Sequence, residues 1–161
     1  MKKYFVNAFV GLAAVLMVLT FASEGNAQRR ESRNRMMSKA QVKQVITRVE
    51  DRVDNFVRNF DRSLDRSRLN GSNREDWLNK RARDLERATD ELSRDFQRRD
   101  AWIENKDEVR RALNIASDID RNMKNRRYGR TTENNWSRVR YELNTLADIY
   151  NLPKVGAGAY R

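Results

Sequence analysis

Two arginine-rich segments are the part of this sequence whose residue types and spacing point to chemistry. Residues 62–74 carry four arginines against a single acid, Asp65, and residues 121–130 carry five basic residues and no acid. A guanidinium donates paired hydrogen bonds to carboxylate and phosphate oxygens, and its planar head stacks on aromatic rings. The sequence therefore predicts an anion-binding surface with Trp136 as a stacking platform, and its candidate cations are Arg66, Arg68, Arg74, Arg126, Arg127 and Arg130.

The overall charge supports a simpler alternative for most of the arginines. Of the 34 basic residues 26 are arginine, and 23 acidic residues accompany them, so the net charge is +11. Because acids are nearly as numerous, most arginines are expected to pair on an exposed helix surface. Cations at helix C-termini also complement the helix dipole. The two arginine-rich segments differ from this background because nearby acids are scarce.

The residues that are missing exclude several kinds of chemistry. The sequence has no cysteine and no histidine, which removes disulfides, the usual zinc ligands, and Cys–His and Ser–His catalysis. Carboxylate pairs such as Asp61 and Asp65 fall between the apolar positions of a predicted helix, and the run at 118–122 lacks the glycine and final acid of a calcium loop. We therefore expect no metal, no cofactor and no enzymatic activity.

The elements that must position the arginines are predicted to be helices. Apolar residues recur at spacings of three and four in four stretches, about 39–69, 73–98, 106–127 and from Thr131 or Thr132 to Tyr150. Capping boxes at 38–41 and 72–75 begin the first two helices. Asn105 resembles a third cap, and Thr131 or Thr132 is expected to cap the fourth helix. No stretch alternates with a period of two, so the expected fold class is all-α.

Short connections between these helices favour an antiparallel up-down-up-down four-helix bundle. In that topology the turns at 70–72 and 128–131 lie at the same end, so the two arginine-rich segments meet there. The N-termini of the second and fourth helices add their partial positive charge at this end. Trp102 and Ile103, between the second and third helices, are expected to fold back onto the core.

The N-terminus has the pattern of a signal peptide. Lys2 and Lys3 precede an apolar stretch at 4–22, and Gly25 and Ala27 place small residues before a cleavage site. The expected organisation is a signal peptide at 1–27, a flexible basic lead-in at 28–38, the bundle at 39–152 and a flexible tail at 153–161. Export to the periplasm or beyond is expected. An uncleaved N-terminal membrane anchor is the alternative, because 19 apolar residues can span a bilayer.

The segment 136–150, together with the apolar stripes over about 42–151, resembles secreted bacterial all-helical proteins of unknown function. That resemblance implies no active site. The basic, cysteine-free helical composition is also similar to periplasmic chaperones of the Spy and CpxP type, although their Leu-Thr-x-x-Gln motif does not occur.

The expected function is therefore non-catalytic binding, either of an anionic envelope component, including contact with a membrane surface, or of a protein partner. The leading hypothesis is that the basic end of the bundle contacts anionic envelope polymers or lipid headgroups. The alternative is a periplasmic chaperone-like protein that binds unfolded clients through an exposed apolar patch. Nucleic-acid binding is compatible with the charge, but predicted export and the dispersed acids disfavour it.

Overall fold

The computed structural model describes residues 37–124 and 127–156, and this part of the chain is entirely helical. The helices are α1 (Lys39–Asp65), α2 (Asn73–Arg98), a short 3-10 helix (Trp102–Asn105), α3 (Lys106–Lys124) and α4 (Arg130–Tyr150). The expectation of an all-α fold is confirmed within these residues. The predicted signal peptide and nearly all of the lead-in, residues 1–36, lie outside the described residues.

Both predicted capping boxes begin a helix. Ser38 Oγ accepts a hydrogen bond from the backbone N–H of Gln41 at 3.2 Å, and Gln41 Oε1 accepts from the backbone N–H of Ser38 at 2.9 Å. Ser72 caps α2 by accepting from the N–H of Glu75 at 3.2 Å. Here the Glu75 carboxylate reaches one residue further back and accepts from the N–H of Gly71 at 2.6 Å. In the second box the glutamate side chain therefore accepts from the N–H of Gly71 instead of the N–H of the cap residue Ser72.

The first helix ends four residues earlier than its apolar stripe predicts. The Asn70 side-chain amide donates to the carbonyl of Asp65 at 2.8 Å, which satisfies a C-terminal carbonyl of α1. Beyond Asp65 the backbone makes short-range bonds, from the N–H of Ser67 to the carbonyl of Leu64 and from the N–H of Ser72 to that of Leu69, both at 2.9 Å. Residues 66–72 therefore form a compact turn that carries Arg66 and Arg68.

The predicted caps of the third and fourth helices are wrong. Asn105 is the last residue of the 3-10 helix, where its buried side chain donates to the carbonyl of Trp102 at 3.2 Å. The N-cap of α4 is Gly129, with φ +88° and no capping side chain, instead of Thr131 or Thr132. The preceding backbone explains the shift, because the N–H of Tyr128 donates to the Glu133 carboxylate at 3.1 Å and the helix begins before the threonines.

The apolar stripes form the core as predicted, and aromatic residues fill one part of it. Phe56 stacks on Phe60 at a centroid distance of 4.8 Å and also packs against Trp136 at 5.0 Å. Tyr128 meets the ring of Phe60 edge-on at 5.4 Å. Helix α1 packs against α2 and α4, and α3 packs against the same two helices. The loop before α4 is therefore tied to the core by Tyr128.

The folded body extends past the predicted boundary at residue 152. Asn151 ends α4 in the left-handed conformation, with φ 51°. Val155 is buried, its N–H donates to Asn144 Oδ1 at 2.8 Å, and its carbonyl accepts from Asn144 Nδ2 at 3.3 Å. Residues 153–156 are thus packed rather than part of a flexible tail. The remainder of that predicted tail, 157–161, lies outside the described residues.

The segment between α2 and α3 folds back only in part. The Trp102 ring meets the Tyr150 ring edge-on at 5.3 Å, and the Tyr150 hydroxyl donates to the Trp102 carbonyl at 2.8 Å. Ile103, by contrast, remains half exposed. The expectation for Trp102 is confirmed and the expectation for Ile103 is wrong, because successive residues of a tight 3-10 turn face different directions.

Candidate anion-binding cleft

An open cleft of about 500 Å³ lies between the end of α1 and the loop before α4. We call it the arginine cleft. Its lining consists of Asn59, Arg62, Ser63, Arg66, Ser67, Arg127, Tyr128, Gly129, Arg130, Thr131 and Thr132. Four guanidinium-bearing residues from two distant parts of the sequence therefore share one concave surface.

Three of the predicted site residues line this cleft, namely Arg66, Arg127 and Arg130. Arg68 is exposed on the neighbouring turn and is not part of the lining. Arg74 donates to Asn122 Oδ1 at 2.8 Å, so it bridges α2 and α3 instead. Arg126 lies outside the described residues.

Arg62 is the cleft cation that the site prediction omitted. Its Nε donates to the carbonyl of Arg58 at 3.0 Å, and its terminal nitrogen donates to Asn59 Oδ1 at 3.3 Å. These contacts hold the guanidinium against its own helix. The signal was present in the sequence, because Arg62 and Arg66 are four residues apart and therefore lie on the same helix face.

The loop that carries Arg127 and Arg130 is fixed by contacts on both sides of Tyr128. The Ser63 hydroxyl donates to the Tyr128 carbonyl, and the Tyr128 N–H donates to Glu133. The Tyr128 ring itself is buried. Since Tyr128, which lies between the two arginines, is anchored through its backbone and its ring, the cleft wall is formed before any ligand arrives.

The electrostatics of the cleft differ from those of the rest of the surface. Among residues 37–124 and 127–156, no carboxylate lies within ion-pair distance of Arg62, Arg66, Arg127 or Arg130. Many arginines elsewhere are paired with acids. Examples are Arg48 with Glu142 at 3.1 Å, and the pairs Arg81–Asp118, Arg99–Glu108 and Arg111–Glu91. The expected salt-bridged surface is therefore present, and the arginine cleft is an exception to it.

The first turn of α4 adds hydrogen-bond donors to the cleft. Because Gly129 supplies no side chain, the N–H groups of residues 130–132 have no side-chain cap. These orphan donors carry the positive end of the helix dipole. The N-terminus of α2 was predicted to contribute in the same way, but there the Ser72 hydroxyl accepts from the N–H of Glu75, and the acids Glu75 and Asp76 lie in the first turn.

The predicted stacking role of Trp136 is wrong. Its side chain is only 4% exposed, its ring packs on Phe56, and its Nε1 donates to Asp120 Oδ1 at 3.1 Å. A ring enclosed in this way offers no face to a sugar or a base. Trp77 is the more exposed tryptophan, but the guanidinium of Arg81 already lies 5.8 Å from the centre of its ring.

A second cleft, of about 480 Å³, lies between α2 and α3 and has a different character. Its arginines are matched by acids: Arg81 contacts Asp118 at 2.6 Å, and Arg87 and Arg110 pair with Asp84 and Asp107. Its cations are therefore largely neutralised by these acids. It offers an anion much less unpaired positive charge than the arginine cleft does.

Within the described ranges, no group of three or more acidic side chains is placed to hold a metal ion. No described helix has an apolar stretch of the length that a membrane span requires. No family model, no curated protein and no solved structure matches this chain.

Proposed function

We propose that this protein is an exported, non-catalytic binding protein whose arginine cleft contacts anionic envelope polymers or lipid headgroups. One observation carries the proposal: four arginines line one cleft, and no described carboxylate pairs with them. Unpaired guanidinium groups held together repel one another, and an anion that bridges them removes that repulsion. Concave sites at helix N-termini bind anions for the same electrostatic reason.

The fold that we propose to support this cleft is an up-down-up-down antiparallel bundle. Cross-helix pairs favour it, because residue numbers rise along one helix as they fall along its neighbour. Between α1 and α4 the pairs are Arg48–Glu142 and Phe56–Trp136, and Ser63 of α1 contacts Tyr128 just before α4. Between α2 and α3 they are Arg74–Asn122, Arg81–Asp118 and Glu91–Arg111.

Binding rather than catalysis follows from the chemistry of the lining. Arginine stays protonated at neutral pH and backbone N–H groups do not titrate, so neither serves as a general base. The chain has no histidine to supply one. The cleft is thus suited to holding an anion in place, and we propose no reaction for it.

Export is proposed from the N-terminal pattern of two lysines, an apolar stretch and small residues at 25 and 27. N-terminal sequencing of protein purified from the expressing bacterium tests it. A mature chain that begins at Gln28 supports cleavage, whereas an intact Met1 in the membrane fraction supports the anchored alternative.

The central experiment compares two triple variants with equal charge loss. Arg66→Gln, Arg127→Gln and Arg130→Gln together remove three cleft cations. Arg52→Gln, Arg94→Gln and Arg138→Gln remove three exposed arginines that also lack ion pairs among the described residues. We expect the cleft variant to lose about tenfold or more in affinity for anionic polymers at low salt, since each ionic contact contributes on the order of 0.5–1 kcal/mol. Its dependence on salt concentration should also flatten.

The control variant decides whether the cleft or the net charge is responsible. Equal losses in both variants would contradict a localised site and leave only non-specific attraction. Salt-independent capture of an unfolded client, unchanged in both variants, would favour the chaperone alternative. The exposed large apolar residues in the described part of the chain, Trp77, Ile103 and Tyr141, lie on three different elements, which disfavours that alternative. Tight, salt-sensitive binding of DNA alone would favour a nucleic-acid partner.

A further inference from the structure

The arginine cleft contains hydrogen-bond donors of three kinds: guanidinium groups, backbone N–H groups and side-chain hydroxyls such as that of Thr132. Thr132 lines the cleft although the residue as a whole is only 3% exposed. Its hydroxyl makes no hydrogen bond to any residue in the described ranges. A hydroxyl is both a donor and an acceptor. Because Thr132 lines the cleft, its hydroxyl is available to donate to an acceptor oxygen bound there.

The first turn of α4 points to the same kind of ligand. Thr132 is the third residue of this helix, and the backbone N–H groups of residues 130–132 lack a capping side chain. A hydroxyl next to uncapped N–H groups and guanidinium groups forms a donor-rich wall. Such a wall suits a group with several acceptor oxygens better than a group with two.

We propose that the arginine cleft is a site for a phosphomonoester group. A phosphomonoester presents three terminal oxygens and close to two negative charges at neutral pH, whereas a carboxylate presents two oxygens and one charge. Four guanidinium groups, the α4 N–H groups and one hydroxyl exceed the acceptor capacity of a carboxylate. The volume of about 500 Å³ leaves room for the sugar or glycerol to which the phosphate is attached. This inference rests on the proposed function and narrows its ligand.

Because the sequence has no histidine, the pH dependence of the binding affinity can reveal the type of ligand. The charged groups at the cleft are Arg62 on α1, Arg66 on the turn that follows, Arg127 on the loop before α4, Arg130 at the start of α4, and the neighbouring Glu133. Histidine is the side chain whose ordinary pKa lies between about pH 5.5 and 7.5, and the sequence has none. A phosphomonoester changes charge over this interval, since its second pKa lies near 6. If only the dianion binds, affinity rises about fourfold over this interval.

The test is calorimetric titration of the purified protein with three soluble probes at equal ionic strength. These are glycerol 3-phosphate as a monoester, glycerophosphoglycerol as a diester, and glucuronate as a carboxylate. We expect the monoester to bind most tightly and to show the rise with pH, while the other two show neither. Inorganic phosphate, and phosphatidylcholine vesicles with and without phosphatidic acid, then distinguish a free phosphate from a lipid headgroup.

Thr132→Val tests the hydroxyl directly, because valine keeps the shape and removes only the donor. We expect about tenfold weaker binding of glycerol 3-phosphate, since a hydrogen bond to a charged acceptor is lost. Thr47→Val, at an exposed position of α1 away from the cleft, should leave binding unchanged. The pH profile of the unmodified protein provides an independent test if the Thr132 variant folds poorly.

The outcomes separate this inference from the function on which it rests. If all three probes bind with similar affinity and a flat pH profile, and the cleft arginines still matter, the anion-binding function stands and the phosphomonoester assignment is overturned. If no anion binds in a way that depends on Arg66, Arg127 and Arg130, both are overturned.

Discussion

At the scale of single residues, Asp120 is the buried charge on which the packing around Trp136 depends. The carboxylate is 1% exposed and accepts from Trp136 Nε1 at 3.1 Å and from Arg140 at 3.2 Å, and the Lys124 ammonium lies 3.1 Å away. Burial raises the pKa of Asp120, but hydrogen bonds from Trp136 and Lys124 outweigh this effect, and the pKa is lowered overall. The ionised form is therefore the one that the fold stabilises.

Asp120→Asn should destabilise the protein by about 2 kcal/mol, because the two cations lose their buried partner. A group with a lowered pKa stabilises the fold fully above its unfolded pKa, near 4, and this contribution disappears as pH falls through the folded value. The difference in unfolding free energy between wild type and variant should therefore shrink as pH falls below about 4. Urea denaturation at several pH values measures it. Asp61→Asn, which disrupts an exposed pair of 3.8 Å with Arg83, is the control and should cost little.

At the scale of elements, the two kinds of helix N-terminus in this protein explain which predictions from local sequence succeed. Ser38 and Ser72 cap α1 and α2 because each is followed three residues later by a partner with a long polar side chain. Thr131 and Thr132 have the right residue type for a cap, but Glu133 accepts from Tyr128 and the helix starts before them. The helix that is left without a side-chain cap is also the one that faces the arginine cleft.

A pair of alanine substitutions tests this difference. Ser72→Ala should lower the unfolding free energy by about 1 kcal/mol, because the N–H of Glu75 loses its acceptor. Thr131→Ala should change it by less than about 0.5 kcal/mol, because an exposed side chain that makes no cap is removed. Thermal unfolding followed by circular dichroism compares them. A larger loss of unfolding free energy for Thr131→Ala would indicate that Thr131 caps α4, as the sequence suggested.

At the scale of the whole molecule, the segment after α4 belongs to the folded body. Val155 is 3% exposed, and its backbone exchanges two hydrogen bonds with the side chain of Asn144. Gly156 follows with φ +81°, and a Cβ there would lie 3.1 Å from Asp120 Oδ2. The C-terminal segment thus covers the same buried carboxylate that contacts Trp136.

Ending the chain after Leu152 should destabilise the protein by about 2 kcal/mol, through the lost burial of Val155 and the unmet hydrogen bonds of Asn144. Ending it after Gly156 keeps these contacts and should retain most of the stability. Urea denaturation of both truncated forms provides the measurement. Equal stability of the two would contradict a structural role for residues 153–156.

The helices, their core faces and the first two caps could be predicted from local patterns, because each depends on residues within a few positions of one another. Spacings of three and four specify a buried stripe, and Ser38 with Gln41 satisfies its donors locally. The shortage of nearby acids along the chain singled out Arg66, Arg68, Arg74, Arg126, Arg127 and Arg130, of which Arg66, Arg127 and Arg130 line the cleft. Local patterns do not reveal what a side chain meets from another element.

Which of these arginines share a cleft depends on how distant parts of the chain pack together. Arg74 donates to Asn122 on another helix, and Arg62 lines the cleft because the loop before α4 packs against its helix. Trp136 is enclosed by Phe56 and Asp120, which come from other helices. The shape of the cleft depends on Ser63 meeting Tyr128, residues that are 65 positions apart. Such long-range contacts arise from packing of the whole core, so no local pattern contains them.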